Sequence, residues 1–249
     1  MKHRKFIVVA CVILFLAVAL GGLALQFNMA RKVLNQIVST YPVSSIVNRL
    51  QRHTIPSNNA QCLADLAKLD VGFKAQSSFS NDKGCSVQHA VRLARVGNVK
   101  LDNAPLLTCK MATQLAKFEV DYLQPIGQSI LGSKIKRIKH IGTYNCRSMR
   151  QYGGVLSQHA FANAIDVSAF VTEDGRTINV EKDCKGKQEK SRFLKKVAKS
   201  ACKSFRASVS PDADANHFNH FHWDTGLYRN CAISVPDPLW KILLKVACR

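Results

Sequence analysis

Two short segments in the second half of the chain hold the residues best suited to do chemistry. The first reads S-Q-H-A-F-A-N-A-I-D from Ser157 to Asp166. The second reads H-F-N-H-F-H-W-D from His217 to Asp224. Four of the eight histidines lie in these segments. A histidine and an aspartate seven positions apart, followed at a distance by H-x-H, can set three ligands around one point. Imidazole nitrogen and carboxylate oxygen suit zinc, and three protein ligands leave a fourth position open. A hydrolase uses such an open position to activate water. The plainer alternative, histidines satisfied by ordinary hydrogen bonds, explains one lone residue well and both segments together poorly.

The surrounding pattern supplies elements to position these groups. Residues 164–171 alternate as a strand, with Ile165, Val167 and Ala169 on one face and Asp166 on the other. In 218–223, His220 and His222 share one face, and Phe221 and Trp223 take the opposite, buried one. Two strands of one sheet would then point Asp166 and His222 into a shared cleft. His159 would reach it from the turn before the first strand. Ser157 either steadies that turn by hydrogen bonding or is an ordinary turn serine. Asp224 either orients a histidine from behind or ends its strand. Apolar spacing predicts a helix from Pro105 to about Leu123, with the proline in the first turn, and a second over about 189–205. Strands are expected near 71–73, 85–100, 135–144, 164–171 and 218–224. The fold class is α+β: a single domain with a small antiparallel sheet and flanking helices.

The first segment resembles the S-x-H…A-x-D signature of zinc D,D-peptidases of the VanY type, which cut peptidoglycan stem peptides. Both segments together are more similar to the bacterial extensin-like C-terminal family. The H-x-x-H-x-H spacing also resembles the penicillin-insensitive murein endopeptidases. The likeness spans roughly residues 60–231. It implies a zinc-peptidase-like domain with His159, Asp166 and His222 as metal ligands. It also implies His220, with His217 as the alternative, as the general base or stabiliser. Arg147, in T-Y-N-C-R-S, would polarise the scissile carbonyl or hold a substrate carboxylate. The implied disulfides are Cys62–Cys85 and Cys109–Cys146. One departure stands out: the VanY-like enzymes carry glutamate three residues before the last ligand, where this chain has Asn219, which cannot take a proton.

The ends of the chain and its cysteines address the compartment. Residues 1–5 form a basic tail, and Phe6–Phe27 is a run of 22 residues without a charge. That length spans a bilayer as a transmembrane signal anchor with the N-terminus in the cytoplasm; a cleaved signal peptide is the alternative. Cys11 lies in the apolar run. The other eight cysteines are an even set that fits disulfides in an oxidising compartment. The expected organisation is therefore an anchor (6–27), a juxtamembrane linker (28–60) with amphipathic stretches at 31–39 and 44–52, a zinc peptidase domain (61–231) and a C-terminal extension (232–249) that docks as a short helix. The domain would lie in the periplasm, held to the inner membrane by a single pass.

The formal charge is +20, and removing Lys2, Arg4 and Lys5 leaves +17 beyond the apolar run. Such a field attracts polyanions. Export and the lack of any nucleic-acid motif argue against nucleic acid; peptidoglycan carboxylates and anionic lipid remain. The function expected is a zinc-dependent peptidoglycan hydrolase cleaving amide bonds of stem peptides or cross-links. The alternatives are a wall-binding protein without turnover, and an accessory protein that remodels the wall for an envelope-spanning machine.

Overall fold

A computed structural model describes residue 26 and residues 28–32, 43–53, 59–150, 152–213 and 215–232. Among them no helix is long and apolar enough to cross a membrane. The expected anchor, apart from Gln26, and the C-terminal extension beyond Ala232 lie outside the described residues. The chain divides into two compact units between Ile46 and Val47. In the first, residues 28–32 and 43–46 are helical. Helix α1 (Val43–His53) covers the second amphipathic stretch.

The second unit is built on one sheet of ten strands. Its path runs β1 (Val71–Gln76), β4 (Ala90–Val96), β5 (Val99–Leu101), β7 (Ile135–Gly142), β8 (Ala164–Thr172), β11 (Phe221–Asp224), β10 (Ala207–Val209) and β12 (Asn230–Ala232). Strand β6 (Leu106–Thr108) pairs with β4, and β9 (Thr177–Asn179) with β8. A short pair, β2 (Phe79–Ser80) and β3 (Ser86–Val87), stands apart. The sheet is larger than expected and is mixed rather than purely antiparallel, because β5 runs parallel to β7 and β10 to β12. Five of its strands are three residues long. Three residues hold too little alternation to be read as a strand.

Helices cover one face of this sheet. Helix α2 (Asn59–Ala67) precedes β1; α3 (Cys109–Phe118) runs through a π turn (Glu119–Leu123) into α4 (Gln124–Leu131); α5 (Val180–Asp183) is short; α6 spans Glu189–Ser204. The helix expected from Pro105 begins later. Leu106, Leu107 and Thr108 are spent on β6, and Thr108 then caps α3, its hydroxyl accepting from Met111 N at 3.2 Å. The helical course also passes Leu123 without stopping and ends at Leu131, where Gly132 takes the left-handed cap at φ 65°. Helix α6 matches the expected 189–205 closely. Phe193, Leu194, Val197 and Ala201 are buried under it, and its lysines face outward.

Between sheet and helices sits an aromatic core. Trp223 and Phe221 on β11 and Phe170 on β8 meet Phe118, Phe193 and Phe205 from the helical side. The Phe118–Trp223 and Phe205–Trp223 ring centroids are both 5.0 Å apart. The alternation that buries Phe221 and Trp223 turns His222 to the other face, away from the helices.

The bridges differ from those the resemblance implied. Cys62 pairs with Cys109 and Cys85 with Cys146. Cys62 lies on α2, which packs beside the start of α3, so Cys109 is its neighbour. Cys85 enters β3 in a cluster with Leu156 and Phe161, against which Cys146 packs. Cys202 pairs with Cys231, tying α6 to β12. Cys184 is also disulfide-bonded, so all seven cysteines among the described residues are oxidised, and Cys184 takes an eighth as its partner. Thiol titration of the denatured, unreduced chain should therefore find at most one free thiol among the nine. Finding four or more would refute the oxidised framework.

Candidate metal centre

Strands β8 and β11 pair antiparallel with Asp166 directly opposite His222. Their side chains therefore project side by side from the face that the helices leave free. His159 arrives from a short 3-10 turn (Gln158–Phe161) just before β8. Ser157 caps this turn, its Oγ accepting from His159 N at 3.3 Å. The turn closes on Ala162 in the left-handed region at φ 52°, which brings the chain sharply round into β8.

Three atoms converge. His159 Nε2 lies 3.1 Å from His222 Nδ1 and 3.2 Å from Asp166 Oδ1, and His222 Nδ1 lies 3.0 Å from the same Oδ1. Two ligand atoms held tetrahedrally by zinc at its usual bond length stand about 3.3 Å apart. The observed triangle has nearly that edge.

The outer contacts decide what these atoms offer. His159 Nδ1 is 2.9 Å from Thr143 O, a carbonyl that can only accept, so this nitrogen donates. His222 Nε2 is 3.0 Å from Asp224 Oδ2 and donates likewise. Each neutral ring then has its proton on the outside and turns a bare lone pair inward, towards a carboxylate oxygen. Three lone pairs pressed together repel unless something positive lies among them. The protein alone meets this with protons. Burial works against charge on His222, but hydrogen bonds to Asp166 and Asp224 outweigh it and push the imidazole up to about 10. Burial likewise works to raise Asp166, yet its bonds to His159 and His222 hold it well below the usual carboxylate range. A divalent cation meets the same demand without protons, and the donor set suits zinc. Among the described residues these three form the group whose donor atoms all lie within 4.8 Å of one another.

The trio opens into a cleft of about 500 Å³. His220 lines it, with Nε2 3.5 Å from Asp166 Oδ1 and Nδ1 donating to Asn219 Oδ1 at 2.7 Å. Burial first, then the neighbouring histidines, push His220 down to about 4 against the pull of Asp166. It is a neutral imidazole at neutral pH, with its free lone pair on Nε2. Asn219, standing where the resemblance implied a glutamate base, orients this ring. His217 lies in the turn Ala215–His217, its ring centroid 5.1 Å from that of His220 and 5.8 Å from that of His222. Arg147 lines the same cleft, exposed and paired with no carboxylate among the described residues. All six residues expected at the site thus border one cavity.

A family model described as the extensin-like protein C-terminus matches residues 60–232. The chain belongs to the extensin-like C-terminal family. No curated protein and no solved structure matches it.

Sequence reasoning missed the buried network behind the extensin-like site. Asn163 Oδ1 accepts from Thr108 Oγ1 at 3.0 Å and from Thr225 Oγ1, and its Nδ2 donates to Gln158 Oε1 at 2.9 Å. Thr108, Asn163 and Thr225 are almost fully buried. The network pins the His159 turn to the start of α3 and to the loop after β11, so both histidine ligands hang from one frame. Its only sequence signal was an asparagine inside the first segment. Asn163→Ala would strand two buried hydroxyls at about 1–3 kcal/mol each, so denaturant unfolding should show a loss of about 2–6 kcal/mol. Asn163→Asp, which can still accept from both hydroxyls, should lose less. Equal stability of wild type and Asn163→Ala would contradict this role.

Proposed function

We propose that this extensin-like protein is a zinc-dependent peptidoglycan hydrolase that cleaves amide bonds of stem peptides or their cross-links. In this reading it resembles the VanY-like peptidases and murein endopeptidases. It is anchored in the inner membrane by the apolar segment 6–27, with residues 61–231 acting in the periplasm. The observation that supports this best is the inward convergence of three lone pairs on an open cleft, with the outer acceptors Thr143 O and Asp224 fixing which nitrogens are bare. The residues present fit zinc: His159, Asp166 and His222 would hold it.

When bound, zinc supplies positive charge that polarises a carbonyl and makes water nucleophilic near neutral pH. The chain's own residues do the rest. His220 Nε2 takes a proton from the attacking water and returns it to the departing amine nitrogen, while its Nδ1–H stays on Asn219. Arg147 offers an unpaired guanidinium to a substrate carboxylate, fixing the register of the stem peptide. Asp166 reduces the positive charge of the loaded site, and Asp224 keeps the His222 proton on Nε2. A second reading, a wall-binding protein without turnover, draws on Asn219, because no glutamate stands where the VanY-like enzymes place their base.

Elemental analysis of chelator-free protein should find about one zinc per chain, with His159→Ala losing it. Asp224→Ala removes the acceptor that fixes the His222 tautomer and should weaken zinc binding by about 10–100-fold, measured by competition with a chromogenic chelator. Full activity in metal-free protein would end the zinc reading.

His220→Ala should keep its zinc but lower turnover on purified sacculi by about 10²–10⁴. Wild-type digestion rates in this variant would move the proton-transfer role to His217. A zinc-loaded wild type that binds sacculi without releasing products would favour the wall-binding reading.

A further inference from the structure

We infer that Gln158 is a substrate-positioning residue, whose side-chain amide donates to a main-chain carbonyl of a peptide lying in the cleft. The inference rests on the peptidase reading and adds to it a subsite that neither the metal trio nor Arg147 supplies. Gln158 directly precedes His159 and lines the same cavity.

Its amide has one allowed orientation, and the reason can be followed bond by bond. Met111 N–H can only donate, and it donates to Thr108 Oγ1. The Thr108 proton therefore goes on to Asn163 Oδ1 at 3.0 Å. With its oxygen committed, Asn163 presents Nδ2 to Gln158 Oε1 at 2.9 Å. The relay, which starts at the first turn of α3, ends by fixing the Gln158 oxygen inward, so Nε2 and its two N–H groups form the remaining end. Among the described residues no acceptor partners Nε2.

Gly226 makes room for this arrangement. A Cβ at Gly226 would come within 2.5 Å of Gln158 Cδ and 2.7 Å of Nε2. The amide packs against the glycine, and any larger residue there would displace it. A neutral donor on a preformed wall suits a neutral acceptor, and the peptide carbonyl is the one such group that every stem peptide repeats. Carboxylates are better served by Arg147. Because Gln158 is tied to Asn163 and Gly226 rather than to the convergent trio, it holds substrate equally in the ground and transition states. Its loss is therefore read in KM rather than kcat.

The test is steady-state kinetics of the zinc-loaded, detergent-solubilised full chain on purified muropeptides, with zinc content measured on each sample. Gln158→Glu keeps the acceptor for Asn163 but replaces the donor; Gly226→Ala displaces the amide while leaving it intact. Both should raise KM about three- to tenfold, the worth of one neutral hydrogen bond. Their kcat should stay within about twofold of wild type, with zinc content unchanged. If wild type cuts muropeptides and both variants keep its KM, the inference is overturned while the peptidase reading stands. Loss of zinc in Gln158→Glu, which keeps the bond from Asn163, would also overturn it, by making the donor end of Gln158 a support of the His159 turn. If wild type neither binds nor cuts muropeptides, the peptidase reading fails and the inference fails with it.

Discussion

The site depends on one register. Pairing β8 with β11 so that Asp166 stands opposite His222 puts a carboxylate and an imidazole side by side on the free face of the sheet. The same pairing sets Val167 against Phe221 and Ile165 against Trp223 on the covered face. A slip of one residue would turn Trp223 and Phe221 out to water and bury the ligands among aromatic rings. The hydrophobic effect, acting on the helix-covered face, thus enforces the polar geometry on the other. The cost of holding three lone pairs together is met by packing that never touches them.

Around that register the chain adds restraint in layers. Hydrogen bonds from Ser157 and Asn163 shape the turn that delivers His159. The Cys85–Cys146 bridge holds the segment leading to Arg147 against the small cluster under Phe161, and Cys202–Cys231 closes the opposite margin of the sheet. Asn48 on α1 reaches the same region, bonding Gly154 O at 2.8 Å and Leu156 N at 2.7 Å. A site whose atoms repel one another when empty of charge needs this restraint to persist.

Much of this was legible in the residues, and the limits have physical causes. The alternations around Asp166 and His222 were readable because each strand has one face in the core and one in the cleft, the situation in which period-two patterning is clearest. Helix α6 was readable because its apolar stripe and its lysines segregate cleanly. The start of α3 was not: Leu106 and Leu107 fit a helical stripe as well as a strand, and only pairing with β4 decides between them. The short strands β6, β9, β10 and β12 exist through their neighbours rather than through local preference. The cysteine pairing failed because connectivity depends on which elements meet in the fold. The ligand trio could be named from spacing and resemblance. The tautomers could not, since Thr143 contributes only its backbone carbonyl, which carries no sequence signal.

The central claim is that outer acceptors keep a proton on each outer nitrogen, so that a zinc ion can take the place of the protons held between the inner ligand atoms. It is tested most directly by a long-range proton–nitrogen correlation spectrum of the histidine side chains in protein loaded with one equivalent of zinc. The account predicts His159 protonated on Nδ1 only and His222 on Nε2 only, with both inner nitrogens shifted as metal ligands. Two imidazolium rings, each carrying protons on both nitrogens in the presence of zinc, would contradict it.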